Sequence, residues 1–208
     1  MECPLCFHES TLFEANVYLC SHCSLVFKNS KDHLSDSEDY DRYSSHQNNS
    51  SDQGYRDFLN KVVRPLKELL PPKFKGLDFG CGPGPTMSLL LEECGGEMSN
   101  FDPHFFPDAP LLIPEAYEVV TCTEVVEHFK KPHNDWKLLV DLVSDGGLLA
   151  VMTQIFDPQL FSYQKWWYKN DPTHVVFYQK ETITYLEDYF DLKLLYTDNQ
   201  SVLIFKKE

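Results

Sequence analysis

Nine consecutive residues, Gly76-Leu77-Asp78-Phe79-Gly80-Cys81-Gly82-Pro83-Gly84, end a short apolar strand in an acid and then place three glycines at every second position. Glycines so spaced let a backbone turn tightly and come close to a ligand, and the helix that follows offers unpaired N–H groups. A second acid, Asp102, lies 22 residues beyond Gly80, after the strand-like run Glu97 to Phe101. That is near the ~20-residue offset at which a carboxylate meets a ribose hydroxyl in a βαβ nucleotide site. The expected chemistry is the binding of a nucleoside. A second constellation opens the chain, where Cys3-Pro-Leu-Cys6 and Cys20-Ser-His-Cys23 repeat a C-x2-C pair across thirteen residues. Four thiolates at this spacing suit tetrahedral zinc. Two disulfides are the alternative use, but the total of seven cysteines is odd and no apolar signal stretch precedes them. A reducing, cytoplasmic setting and zinc are therefore expected. Because Cys3, Cys6, Cys20 and Cys23 would fill every coordination position, the metal is expected to be structural. A segment of about 25 residues has too little core to fold without it.

The glycine spacing narrows the nucleoside. Dinucleotide sites use G-x-G-x-x-G, whereas here the third glycine comes one residue early and Pro85 takes the remaining slot. No Lys-Ser or Lys-Thr pair follows, as a Walker loop requires. The acid, spacer and G-x-G-x-G pattern resembles motif I of class I S-adenosylmethionine-dependent methyltransferases. The resemblance implies that Asp78, Gly80, Cys81, Gly82 and Gly84 hold the amino-acid end of the cofactor, with Asp102 and Pro103 at the ribose. Further on, Glu124-Val125-Val126-Glu127-His128 is similar to the family's "E-V-x-E-H" strand end. This implies Thr123 and Glu124 along the cofactor and His128 near the transferred methyl. Asp171-Pro172-Thr173-His174 resembles a block after the fifth strand of small bacterial members. There, Asp171 and His174 would lie over the methyl, a histidine removing a proton and a carboxylate orienting it. A turn that packs the loop onto the sheet is the other reading.

The elements needed to position these groups are legible as alternating strands and helices, an α/β pattern. The run from Tyr117 reads as a strand buried on both faces. A helical pattern ends at Asp145-Gly146-Gly147, where glycine would supply the cap, and a strand follows at once. Lys193 to Thr197 and Ser201 to Lys206 flank Asp198-Asn199-Gln200 as a hairpin. The resemblance implies a Rossmann-like, largely parallel sheet finished by an antiparallel hairpin, with a small N-terminal zinc ribbon. Between Asp102 and Tyr117 stand four prolines and no room for the usual helix and full strand. The expected organisation is a ribbon over residues 1–29, a segment over 30–55, and the methyltransferase domain over 56–208. The middle segment is polar, with Tyr40, Tyr43, His46 and Tyr55 scattered through it. It reads either as a solvated linker or, by the resemblance, as a lid placing Tyr43 and His46 on the cofactor. An amphipathic helix is expected from Tyr55 to Leu70, stopped by Pro71-Pro72. The aromatic-rich stretch from Ile155 to Tyr178 reads as a pocket wall or partner surface.

A formal net charge of −14, from 18 Lys and Arg against 32 Asp and Glu, disfavours nucleic acid as a partner, since phosphate contacts supply much of that affinity. No run of ~18 apolar residues suggests a membrane span. The leading expectation is methyl transfer from S-adenosylmethionine to a small-molecule acceptor. An RNA base methyltransferase is the runner-up, because certain ribosomal RNA guanine methyltransferases also carry a four-cysteine zinc module before the class I domain. A non-catalytic, partner-binding use of the same fold is the third. Nothing in the sequence speaks to oligomeric state.

Overall fold

A computed structural model describes residues 1–44 and 49–208. In chain order the elements are β1 (Ser10–Glu14), β2 (Val17–Cys20), β3 (Val26–Lys28), α1 (Asp36–Ser44), α2 (Gln53–Lys67), β4 (Phe74–Phe79), α3 (Thr86–Glu92) and β5 (Gly96–Phe101). Then follow β6 (Tyr117–Thr123), α4 (Pro132–Leu142), β7 (Val143–Met152), β8 (Val176–Phe177), α5 (Lys180–Phe190), β9 (Leu192–Thr197) and β10 (Val202–Lys207).

Six strands form the main sheet in the order β5-β4-β6-β7-β10-β9. The first four run parallel, and β10 lies antiparallel to both β7 and β9. Successive residues of the central strands serve opposite layers. Val119, Leu148, Ala150, Met152, Val202 and Ile204 pack with Leu59, Val62, Val63 and Leu66 of α2 and Met87, Leu90 and Leu91 of α3. Val120, Cys122, Leu149, Val151, Leu203 and Phe205 pack on the other side with Trp136 and Leu139 of α4 and Ile183 and Leu186 of α5. A period of two with both faces buried is why these strands read as continuous apolar runs. The proline-rich link from β5 to β6 holds one short 3-10 turn, Ala109–Leu111, so the reduced crossover expected from its length is what forms.

The ribbon is built into this architecture. Strands β1, β2 and β3 form a small sheet whose last member pairs with β8, Val26 opposite Phe177 and Phe27 opposite Val176. Leu5, Leu25 and Phe27 share the core that contains Trp136 and Val175. His133 at the start of α4 directs Nδ1 at the Leu5 carbonyl, 3.0 Å away.

Three local expectations are corrected. The fourth helix stops at Leu142, and Asp145-Gly146-Gly147 lies inside β7, where the pairing jumps from Tyr117–Val143 to Val119–Leu148. Gly146 does have positive φ, +73°, but it serves a bulge instead of a helix cap. The helix expected from Tyr55 to Leu70 is α2, which starts at Gln53 because the Asp52 side chain accepts from the Gly54 and Tyr55 N–H groups, and it ends at Lys67. The aromatic stretch is mostly core: Phe156, Tyr163, Trp166, Tyr168 and Phe177 cluster with Val17 and Val26 of the ribbon. Leu160, Phe161 and Trp167 remain exposed. Among the described residues no helix is long and apolar enough to cross a membrane.

Candidate functional site

The carboxyl ends of β4, β5 and β6 open into a cavity of about 630 Å³, inside the range of small-ligand sites. Gly80 turns away from β4 at φ +75°, and a Cβ there would stand 2.5 Å from Val125 Cγ2. Its N–H donates to the Phe101 carbonyl at 2.7 Å. Gly82 also has positive φ and donates its N–H to Asp102 Oδ2 at 3.0 Å. The other oxygen of Asp102 accepts from the His104 and Phe105 N–H groups at 2.8 and 3.1 Å. Asp102 thus ties the glycine loop to the turn after β5. Asp78, Gly80, Cys81, Gly82, Asp102 and Pro103 all line the cavity. Gly84 is outside its lining and instead accepts from Thr86 at the start of α3. Asp78 is buried and accepts from Thr121 Oγ1 at 2.8 Å. Burial pushes its carboxyl up to about 7, the neighbouring charge of Asp102 adding to the shift and the Thr121 bond opposing it.

After β6 the chain turns sharply into the cavity wall. Glu124 adopts φ +54°, a left-handed conformation that costs a non-glycine residue energy and is concentrated at functional sites. Thr123 and Glu124 line the cavity beside Glu127 and His128. Glu127, fully buried, accepts from the Tyr168 hydroxyl at 2.5 Å, and that hydroxyl also stands 3.3 Å from Glu124 Oε2. Burial, with the adjacent Glu127, pushes Glu124 up to about 8. Among the described residues Glu124 Oε1 and Glu127 Oε2 are buried with no hydrogen-bond partner.

The Asp171–His174 block lies across the same cavity, and Val175 N–H donates to the Glu127 carbonyl at 2.9 Å. His128 and His174 face each other with ring centroids 4.8 Å apart. His128 Nδ1 lies 3.1 Å from the Thr173 carbonyl and His174 Nδ1 lies 2.8 Å from the Tyr168 carbonyl. The expectation that Asp171 orients the His174 ring is therefore corrected. Asp171 Oδ1 accepts from Thr173 N–H and hydroxyl, and Oδ2 pairs with Arg42 at 2.7 Å.

Arg42 belongs to α1, which roofs the cavity. Tyr43 stacks edge-on to His128 at 5.3 Å and near His104 at 5.7 Å. Asp39 pairs with Lys130 at 2.5 Å. His46, the other expected cofactor contact of this segment, falls outside the described residues. Sequence reading missed Tyr168 and Arg42 as parts of the site. Arg42 reaches Asp171 across 129 positions and the Tyr168 hydroxyl reaches Glu127 across 41, and neither stands in a motif of its own.

At the ribbon, Cys3 Sγ and Cys23 Sγ are 3.6 Å apart and Cys6 Sγ and Cys20 Sγ 3.4 Å, all four within 4.8 Å of one another and buried. A tetrahedron with ~2.3 Å zinc–sulfur bonds has edges of about 3.8 Å, so the residues fit zinc. His22 N–H already points at Cys20 Sγ, 3.4 Å away.

Comparison with known proteins gives the same fold. Magnesium protoporphyrin IX methyltransferase (ChlM) from Synechocystis PCC 6803, solved with bound SAH, is 16% identical at a TM-score of 0.56, covering 84% of this chain and 95% of that one. The N-methyltransferase NodS from Bradyrhizobium japonicum WM9, in complex with S-adenosyl-L-homocysteine, is 12% identical at 0.56, covering 82% and 97%. CalO1, a methyltransferase in calicheamicin biosynthesis, also in an SAH-bound form, is 13% identical at 0.51; the match covers 71% of this chain and only 53% of CalO1. No curated protein sequence matches significantly. A family model described as a methyltransferase domain matches residues 49–196, well over half of the sequence, and with the fold just described it shows that the chain belongs to the class I S-adenosylmethionine-dependent methyltransferases.

Proposed function

We propose that the protein transfers a methyl group from S-adenosylmethionine to a small-molecule acceptor, and that a structural zinc ion held by Cys3, Cys6, Cys20 and Cys23 braces the site. The observation that carries this reading is a single cavity whose walls combine the Asp102-tied glycine loop with buried, unpartnered carboxyl oxygens. When bound, the cofactor supplies a methyl already activated by its sulfonium. What remains for the chain is to align the acceptor and exclude water. Asp78 is assigned to the cofactor's ammonium, Asp102 to a ribose hydroxyl, and Thr123 and Glu124 to the stretch between. His128 and His174 are assigned to activating the acceptor. Asp171 positions the roof by clamping Arg42. Helix α1, with Tyr43 against His128, closes the cavity to the scale of a small ligand. A nucleic acid would have to approach a surface with an overall charge of −14.

Incubation with methyl-labelled S-adenosylmethionine and a fractionated cell extract tests the acceptor class. Label is expected in the low-mass filtrate. Label recovered in RNA instead would establish the runner-up reading.

The Asp78 assignment predicts a pH dependence. A carboxyl with a pKa of about 7 in the free protein must be ionised to hold an ammonium, so cofactor affinity is highest above pH 7. As pH falls below about 7 the protonated form competes, and SAH affinity should drop by up to tenfold per pH unit. Calorimetric titration from pH 5.5 to 8 should show that slope, and Asp78→Asn should flatten it and lower affinity throughout. An unchanged slope in Asp78→Asn would remove Asp78 from the role.

A further inference from the structure

Glu127, His128 and His174, which all line the cavity, each offer one ligand atom, and these atoms lie within 4.8 Å of one another. We propose that these three residues form a second metal site, for a divalent first-row transition ion, separate from the cysteine cluster and opening into the cavity. The site goes beyond the methyl-transfer reading and stands on the geometry alone.

Three observations support it. First, each imidazole has its Nδ1 against a backbone carbonyl, Thr173 for His128 and Tyr168 for His174. A carbonyl only accepts, so Nδ1 carries the proton and the lone pair of each neutral ring sits on Nε2. Metal-binding histidines characteristically donate their other ring N–H to a carbonyl or carboxylate in this way, which fixes tautomer and ring orientation together. Second, Glu127 is held by its Tyr168 bond on one oxygen while its second oxygen, fully buried, has no partner among the described residues. An orphaned buried carboxylate oxygen is costly, and a cation held by both Glu127 oxygens would satisfy it while also engaging Oε1, the Tyr168-bound oxygen on the His128 side. Third, His128 Nε2 stands 3.9 Å from Glu127 Oε1. Ligands at ~2.1 Å in a tetrahedral shell lie about 3.4 Å apart, so this pair must close by about 0.5 Å and the widest pair, within 4.8 Å, by up to about 1.4 Å.

The donor set sorts the ions. Two imidazoles and one carboxylate suit zinc, iron, cobalt or nickel over magnesium or calcium, which prefer oxygen shells. Three protein ligands leave coordination positions open, and those face the cavity that His128 and His174 line. An acceptor hydroxyl or carbonyl oxygen could complete the shell and be polarised there. An oxygen-bearing acceptor is thus the ligand class the site would take.

The test is a cobalt titration of the full-length, zinc-loaded protein without cofactor, followed by absorption. The expected result is one further equivalent of Co²⁺ with ligand-field bands but no thiolate charge-transfer band. His174→Ala and Glu127→Gln should each weaken that uptake at least tenfold, while both keep the wild-type circular dichroism. Glu127→Gln preserves side-chain volume, so the measurement survives if His174→Ala fails to fold. No uptake, as expected if a protonated Glu127 needs no cation, overturns the proposal. So does uptake showing only thiolate charge transfer, or uptake that neither variant changes. Because the readout needs no S-adenosylmethionine, its failure is distinct from a failure of the methyl-transfer reading.

Discussion

Stripping the protein of metal with a strong chelator is expected to unfold far more than residues 1–29. Structural zinc contributes roughly 10–16 kcal/mol to small zinc-bound folds, and the four cysteines here lie in the same core as Trp136 and Val175. Once the ribbon opens, β8 loses its partner strand, since Val26 and Phe27 pair with Phe177 and Val176. The Val175 carbonyl loses the Lys28 N–H at 2.8 Å, and the Gln179 side chain loses the Ser24 carbonyl at 2.7 Å. Those bonds hold the segment that carries Asp171 and His174. Hydrogen exchange should therefore show protection lost both in residues 1–29 and in residues 156–178, with methyl transfer falling at least a hundredfold. Amides of α2 and α3, which pack on the other side of the sheet, should stay protected. Cys20→Ser is expected to act in the same direction. Protection that persists across 171–178 after metal loss would separate the ribbon from the site and sink this account.

That coupling is also what the sequence conceals. The glycine loop, the buried strand before Glu124 and the cysteine knuckles are local signals, carried by spacing within a few residues, and each appears where its spacing places it. The pairing of β3 with β8 rests on two residues of β8 and a partner some 150 positions earlier, which leaves no periodicity to read. Tyr168 lies in a run of aromatics whose composition fits an exposed wall as well as a core. Only the fold shows that Trp166 is buried and Trp167 is 67% exposed. Gly146 misled for a physical reason, since a left-handed glycine closes a helix and kinks a strand equally well. Asp171 misled because an acid three residues from a histidine suggests a dyad, whereas its nearest donors are Thr173 and Arg42.

Asp102→Ala is expected to abolish measurable SAH binding, a loss of at least a hundredfold, or about 2.7 kcal/mol. A carboxylate accepts at about four lone-pair sites. Three are taken by the N–H groups of Gly82, His104 and Phe105, which leaves one for the ribose hydroxyl that the proposed role assigns to it. Removing the side chain thus deletes the ribose contact and releases the glycine loop, because Gly82 loses the acceptor that holds it to the end of β5. Asp102→Asn discriminates between these two effects. Its amide oxygen can still accept from His104 and Phe105, but its NH2 group then faces the Gly82 N–H, donor against donor. If the loop tie matters, the asparagine variant binds SAH nearly as poorly as the alanine variant in calorimetric titration. If the asparagine variant retains most of the affinity, the ribose contact alone accounts for the role of Asp102. Wild-type affinity in the alanine variant would remove Asp102 from the cofactor site altogether, leaving it as a brace for the turn after β5.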